Sequence, residues 1–263
     1  MTMTRIFLRA AALLLSLVAL VTLAQPGAAS PCEHQDFDRL GFVVCSVDPA
    51  QADLRLFWQN PEGDAYRSFS AVSDQLERSG ERLVFAMNAG MYQSDFSPMG
   101  LYVESGEELR SPNLRDLSGS PSGVPNFYKK PNGVFLLTDQ GAQILPTETY
   151  LERRPPVRFA TQSGPMLVID GTLHPAFIEG STDRRPRSGV GVCENGLIRF
   201  AISDRAVNFH DFARLFRDHL GCANALFLDG GRGTGLYDPE QGRNDFSWHG
   251  GFGPMFGLVE RPG

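Results

Sequence analysis

The chain has 263 residues, 42% hydrophobic and 21% charged, with 28 Gly and 18 Pro, a composition that excludes disordered, coiled-coil and collagen-like chains. Its formal net charge is −6; setting aside Arg5 and Arg9 in the expected leader leaves 22 basic against 30 acidic residues. Such an acidic chain is poorly suited to wrapping nucleic acid or lying on an anionic membrane, so a small-molecule or glycan substrate is expected and a nucleic-acid partner is not.

Taken in chain order, Arg5 and Arg9 precede the uncharged run Ala10–Ala24, followed by Gln25, Pro26 and the small residues Gly27, Ala28 and Ala29. A charged start, an apolar middle and a small-residue end describe a secretory signal peptide. The apolar run is shorter than the roughly 20 residues that span a bilayer. Residues 1–29 are therefore expected to be cleaved, leaving 30–263 as one secreted or periplasmic domain without a transmembrane anchor. Four cysteines follow: Cys32, Cys45, Cys193 and Cys222. Four cysteines allow three pairings; proximity favours Cys32–Cys45 and Cys193–Cys222, each worth about 3 kcal/mol by loop entropy. A C-x-x-C pair that would point to a metal is absent from the sequence.

Strand-like runs fall at Phe42–Val47, Leu54–Trp58, Leu83–Met87, Leu101–Val103, Val134–Leu137, Met166–Ile169, Leu197–Ile202, Ala225–Leu228 and Met255–Val259. Two helices are predicted. Ser70–Ser79 stops at Gly80, and Phe209–Leu220 carries Phe209, Phe212, Leu215, Phe216 and Leu220 on one face, with Asn208 as its cap. Many strands and few helices point to an α+β fold with mixed β-sheets. The Gly/Pro-rich stretches Ser111–Pro131 and Glu179–Ser188 are predicted site-forming loops.

Several familiar chemistries are excluded. The only lysines, Lys129 and Lys130, precede Pro131, so no P-loop exists. Gly231, Gly233 and Gly235 would put Leu236 at the last glycine of a dinucleotide fingerprint. Neither H-E-x-x-H nor G-x-S-x-G occurs. What remains is a set of apolar runs ending abruptly in amide, carboxylate and glycine: Met87-Asn88-Ala89-Gly90, Thr161-Gln162-Ser163-Gly164, Ile202-Ser203-Asp204 and Leu228-Asp229-Gly230-Gly231. Glycine admits close backbone approach to a ligand, and the adjacent amide or carboxylate can be aimed at it.

The segments Phe85-Ala86-Met87-Asn88-Ala89-Gly90-Met91-Tyr92, Lys130-Pro131-Asn132-Gly133-Val134-Phe135, Gln162-Ser163-Gly164-Pro165-Met166-Leu167, Arg187-Ser188-Gly189-Val190-Gly191-Val192, Val207-Asn208-Phe209-His210-Asp211-Phe212 and Leu228-Asp229-Gly230-Gly231 resemble the phosphodiester glycosidase family in order over residues 40–260. The resemblance implies a single domain of that family and an exported hydrolase cleaving the glycosidic bond of a sugar-1-phosphodiester or related glycan. Such hydrolysis passes through an oxocarbenium-like state that two carboxylates commonly serve. Asp229, ending an apolar strand, is the preferred catalytic carboxylate, with Asp204 as the second. Arg187 is assigned to the phosphate, for which an arginine fork is suited. Asn88, Gly90, Gln162, Ser163, His210, Gly230 and Gly231 complete the expected substrate-binding set. No cofactor is required by the sequence; Ca²⁺ is the cation that hard oxygen ligands would take, although no EF-hand spacing occurs. Where family members commonly carry small hydroxyl residues after Asp229-Gly230, this chain has Gly231-Arg232-Gly233-Thr234-Gly235. The alternative is a non-catalytic glycan-binding envelope protein, with Trp58 and Trp248 as sugar-stacking faces.

Overall fold

A computed structural model describes residues 30–120 and 123–261; the expected signal peptide lies outside the described residues. The strands, in chain order, are β1 (Cys32–Phe37), β2 (Leu40–Val47), β3 (Asp53–Phe57), β4 (Arg82–Asn88), β5 (Tyr102–Glu104), β6 (Glu107–Arg110), β7 (Gly133–Thr138), β8 (Gly141–Pro146) and β9 (Phe159–Ser163). They continue as β10 (Met166–Ile169), β11 (Thr172–Leu173), β12 (Arg187–Cys193), β13 (Ile198–Ser203), β14 (Cys222–Gly230), β15 (Leu236–Asp238), β16 (Arg243–Asn244) and β17 (Met255–Glu260). Helices are α1 (Phe69–Arg78), α2 (Thr147–Arg153) and α3 (Phe209–Arg214).

The strands form three sheets: a seven-stranded one ordered β1-β2-β13-β12-β14-β10-β11, and two five-stranded ones, β16-β15-β4-β17-β3 and β6-β5-β9-β7-β8. Period-two alternation sends successive side chains to opposite faces. In β2, Val43 and Cys45 enter the central core while Phe42 and Val44 enter a second one. The central core gathers apolar residues of all three sheets, including Val43, Phe85, Phe135, Phe200 and Phe256. The outer face of the seven-stranded sheet is covered by α3, whose Phe209 and Phe212 pack on Leu167 and Phe227.

Both predicted helices form, the second with the cap read from its sequence and the first with a cap one residue before Phe69. Ser68 Oγ accepts from Ala71 N at 3.2 Å to start α1, and Asn208 Oδ1 accepts from Asp211 N at 2.8 Å to start α3. The second helix widens into a π-type turn over Leu215–His219, which keeps Phe216 and Leu220 on the sheet. The expected α+β class, sheet-rich with few helices, is the observed one. Both cysteine pairs are bonded as expected, Cys32–Cys45 and Cys193–Cys222, each directly opposite across adjacent strands. Among the described residues no helix is long and apolar enough to cross a membrane.

Candidate active site

The three sheets are joined at one rim by polar side chains at strand ends. Asn88, the last residue of β4, donates from Nδ2 to Ser188 Oγ at 2.9 Å and accepts from Gly235 N at 3.1 Å. Ser188 Oγ in turn donates to the Asp229 carbonyl at 3.3 Å. From the third sheet, Ser163 Oγ donates to the Leu228 carbonyl at 3.0 Å and Thr161 Oγ1 to that of Ala89 at 3.0 Å. Gly90, at φ +138, lies against Thr161 and Ser163, where an L side chain would be strained. Asn88, Gly90, Ser163, Asp229 and Gly230 are therefore brought together from widely separated positions.

Asp229 sits on a bulge. Ser188 pairs with Asp229 but Gly189 pairs with Phe227, leaving Leu228 as the extra residue. A bulge shifts the phase of side-chain alternation. Ser188, its pairing partner, faces Asn88 of the second sheet, the side on which Leu228 enters the central core. Part of the Asp229 surface is open, but its carboxyl is crowded by the bare backbone of Gly233 and accepts only the Gly230 N–H, at 2.7 Å. Desolvation raises its pKa from 3.8 to about 7, partly opposed by that hydrogen bond. Beside it, the Tyr92 phenol is pushed above its ordinary value by burial first, with the Asp229 charge adding to the effect and the Ser247 hydrogen bond opposing it.

The raised pKa has a consequence for stability. Native Asp229 keeps its proton to about pH 7, whereas an unfolded aspartate releases it near 3.9. The native state thus binds more protons between these values, and stability falls as pH rises through that window. Asp229→Asn should remove this loss. Urea unfolding should show the variant gaining on the parent from about pH 4 to 8, by up to about 4 kcal/mol.

Four expected site residues are placed elsewhere or otherwise engaged. Arg187 is only 1% exposed, and lies on the α3 side of β12, opposite in direction to Ser188. Its guanidinium stacks 3.6 Å from the Phe209 ring centroid, and Nε donates to Val207 O at 2.8 Å. It also lies 5.5 Å from the Phe227 ring centroid and contacts the Asp183 carbonyl at 3.3 Å and carboxylate at 3.8 Å. Desolvation lowers its pKa to about 10. The assignment of Arg187 to a phosphate beside Asp229 is corrected: its side chain is packed on the other face. Asp204 immediately follows β13, two strands from β14, and pairs with His34 Nε2 at 2.7 Å. The pair borders a separate cavity of about 330 Å³, so Asp204 is not the partner carboxylate of Asp229. Gln162 is 2% exposed; its amide accepts from Leu101 N and Asn113 N and donates to Asn113 O and Thr147 Oγ1. That pins the 111–115 segment rather than facing a ligand. His210 lines another cavity, of about 210 Å³, with Phe177, Phe209 and Lys129.

Gly230 and Gly231 adjoin Asp229; Gly231 adopts φ +63 with open space where a side chain would be and donates to Pro186 O at 2.9 Å. Among the described residues, no group of three or more His, Cys, Asp or Glu is placed to hold a metal ion, so the residues around Asp229 offer Ca²⁺ no carboxylate cage. Ser188, Thr161 and Tyr92 were not singled out from sequence; Ser188 and Tyr92 lay within the quoted motifs, and their small or aromatic side chains carry no distinctive signal alone.

This chain is similar to known proteins in sequence and in fold. The phosphodiester glycosidase family model matches residues 81–255, and the chain belongs to that family. It is 31% identical over 203 residues to the uncharacterized protein YigE of Escherichia coli K12, covering 77% of this chain and 76% of YigE. Its fold is similar to the catalytic domain of zebrafish N-acetylglucosamine-1-phosphodiester alpha-N-acetylglucosaminidase, auto-inhibited by its pro-peptide, at TM-score 0.61 and 15% identity over 88% of this chain and 82% of that one. It is also similar to a hypothetical protein from Synechocystis, at TM-score 0.57 and 17% identity over 88% of this chain and 61% of that one.

Proposed function

We propose that this chain is an exported hydrolase that cleaves the bond between the anomeric carbon of a sugar and the phosphate of a phosphodiester. The observation that carries the reading is Asp229: a desolvated carboxyl with a pKa of about 7, held by a strand bulge at the junction of three sheets. A group that titrates near the working pH is suited to proton transfer. In the proposed reaction, ionised Asp229 takes a proton from water as the water oxygen bonds to the anomeric carbon. The bond from that carbon to the phosphate oxygen breaks, and its electron pair leaves with the phosphate. The products are the free sugar and a phosphate monoester. Because phosphate leaves without prior protonation, one carboxylate suffices, which agrees with Asp204 being engaged by His34. Tyr92 and the backbone around Gly230 and Gly231 would bound the sugar. The phosphate charge would be met by Arg232, exposed on the turn whose next residue, Gly233, lies against the Asp229 carboxyl. Two disulfides and the N-terminal 29 residues support action outside the reducing cytoplasm.

The test is to incubate the protein lacking residues 1–29 with a panel of sugar-1-phosphodiesters and measure release of reducing sugar and phosphate monoester. Hydrolysis with kcat/KM rising through about pH 7 is expected, since the base form of Asp229 accumulates there. Arg232→Gln should raise KM for phosphodiesters by about 10-fold, the worth of one charged hydrogen bond, and change neutral aryl glycosides far less. Absence of hydrolysis across the panel would reject the reading and favour a glycan-binding role.

A further inference from the structure

Phe246 and Trp248 are 63% and 72% exposed, and their rings meet at a centroid distance of 4.6 Å. Leaving two large aromatic side chains in water forgoes the burial that ordinarily makes them core residues. The segment that carries them is nevertheless tightly held. Ser247, between the two rings, is 5% exposed and lies 3.3 Å from Tyr92 OH, which donates to Gly251 O at 2.8 Å. Arg67 grips Gly250 O from Nε at 3.2 Å and Nη2 at 2.7 Å. At the other end, Asp245 exchanges two hydrogen bonds with Leu236: its N–H donates to the Leu236 carbonyl, and its carboxylate accepts from Leu236 N, both at 3.0 Å. Those anchors lead to the rim. Tyr92 is two residues beyond Gly90, and Leu236 three beyond Gly233, the residue against the Asp229 carboxyl. A segment fixed at both ends, with its small residue inward and its two aromatic residues outward, presents those rings in one place at little further ordering cost.

We infer that Phe246 and Trp248 form a stacking platform at the mouth of the Asp229 site that binds a pyranose ring on the far side of the scissile phosphodiester. The C–H face of a pyranose stacks on aromatic rings as an apolar surface, while its hydroxyls stay in water at an exposed site. The adjacent polar groups, among them the exposed Arg67 and His249, offer hydrogen bonds to the hydroxyls of a polyhydroxylated ring. This inference rests on the proposed reaction for the position of the ring, and its test separates the two.

Trp248 is exposed and the other tryptophan, Trp58, is 9% exposed against Tyr102, so tryptophan emission reports on the platform directly. Two probes are compared on the Asp229→Asn protein: glucose α-1-phosphate esterified to O6 of methyl glucoside, and cellotetraose. Both should quench or blue-shift emission, and the change should vanish in the Trp248→Phe background, where only Trp58 reports. In the parent enzyme, Trp248→Ala should lower the preference for that diester over the methyl ester of glucose α-1-phosphate by about 3- to 10-fold, and Trp248→Phe should restore most of it. Emission unmoved by both probes overturns the inference, as does a Trp248→Ala preference equal to the parent's. A response to cellotetraose without hydrolysis of any diester overturns the proposed reaction and leaves the platform standing.

Discussion

Asp229→Asn is expected to lower turnover of sugar-1-phosphodiesters by at least about 10²-fold, the low end for loss of a general acid–base group. The substitution keeps the size of the side chain and its acceptor toward Gly230 N, so the bulge and the packing of Gly233 are retained. It removes only the group that titrates near pH 7. The loss should therefore appear in kcat with the pH dependence flattened, while the folded protein gains stability over the parent from about pH 4, in full once pH exceeds about 7. A folded Asp229→Asn protein with parental turnover would remove the carboxyl from the chemistry.

Arg187→Ala is expected to act on stability. Arg187 is among the largest fully buried side chains in the described residues, and its guanidinium lies between Phe209 and the Asp183 and Val207 backbone. Truncation opens a cavity under α3, strips a packed aliphatic stem, takes the side-chain donor from the Asp183 carbonyl and leaves the Val207 carbonyl with the Arg185 N–H alone. About 3–5 kcal/mol should be lost in equilibrium unfolding. Arg187→Met, which refills much of the volume, should lose less. If Arg187→Ala instead leaves the midpoint unchanged and raises KM for phosphodiesters alone, the guanidinium reaches the ligand and the phosphate role returns.

The contrast between these two residues shows where the sequence was legible. Every strand predicted from an apolar run is present, because such a run marks a strand whose two faces are both covered. Strand β9, Phe-Ala-Thr-Gln-Ser, and strand β12, Arg-Ser-Gly-Val-Gly-Val-Cys, were not predicted, and β12 begins within a segment read as a loop. Their burial is achieved with small residues. A Cβ at Gly191 would stand 2.7 Å from Cys222 Sγ and 2.8 Å from Phe216 Cδ1, so the central strand is glycine-rich because its neighbours fill the space. Edge strand β1 was hidden by its polar pattern. For the site, strand-end amides and carboxylates near glycine located Asn88, Gly90, Ser163 and Asp229. Direction was not legible. Whether Arg187 or Ser188 points to the rim depends on the phase of a strand not seen as one, and Gln162 differs from Asn88 only in what surrounds its amide.

The bulge opposite Ser188 makes the site depend on a count of residues. Between Phe227 and Asp229 the β14 chain spends one more residue than β12 does, and that single surplus decides which compartment receives the carboxyl. Substitutions at Leu228 change its packing but preserve the count. Without the bulge, Leu228 would stand opposite Ser188 and Asp229 opposite Arg187, turning the carboxyl toward the apolar layer beneath α3. The direction of the carboxyl is thus set by the place of the surplus residue in the ladder and not by the side chain that residue carries.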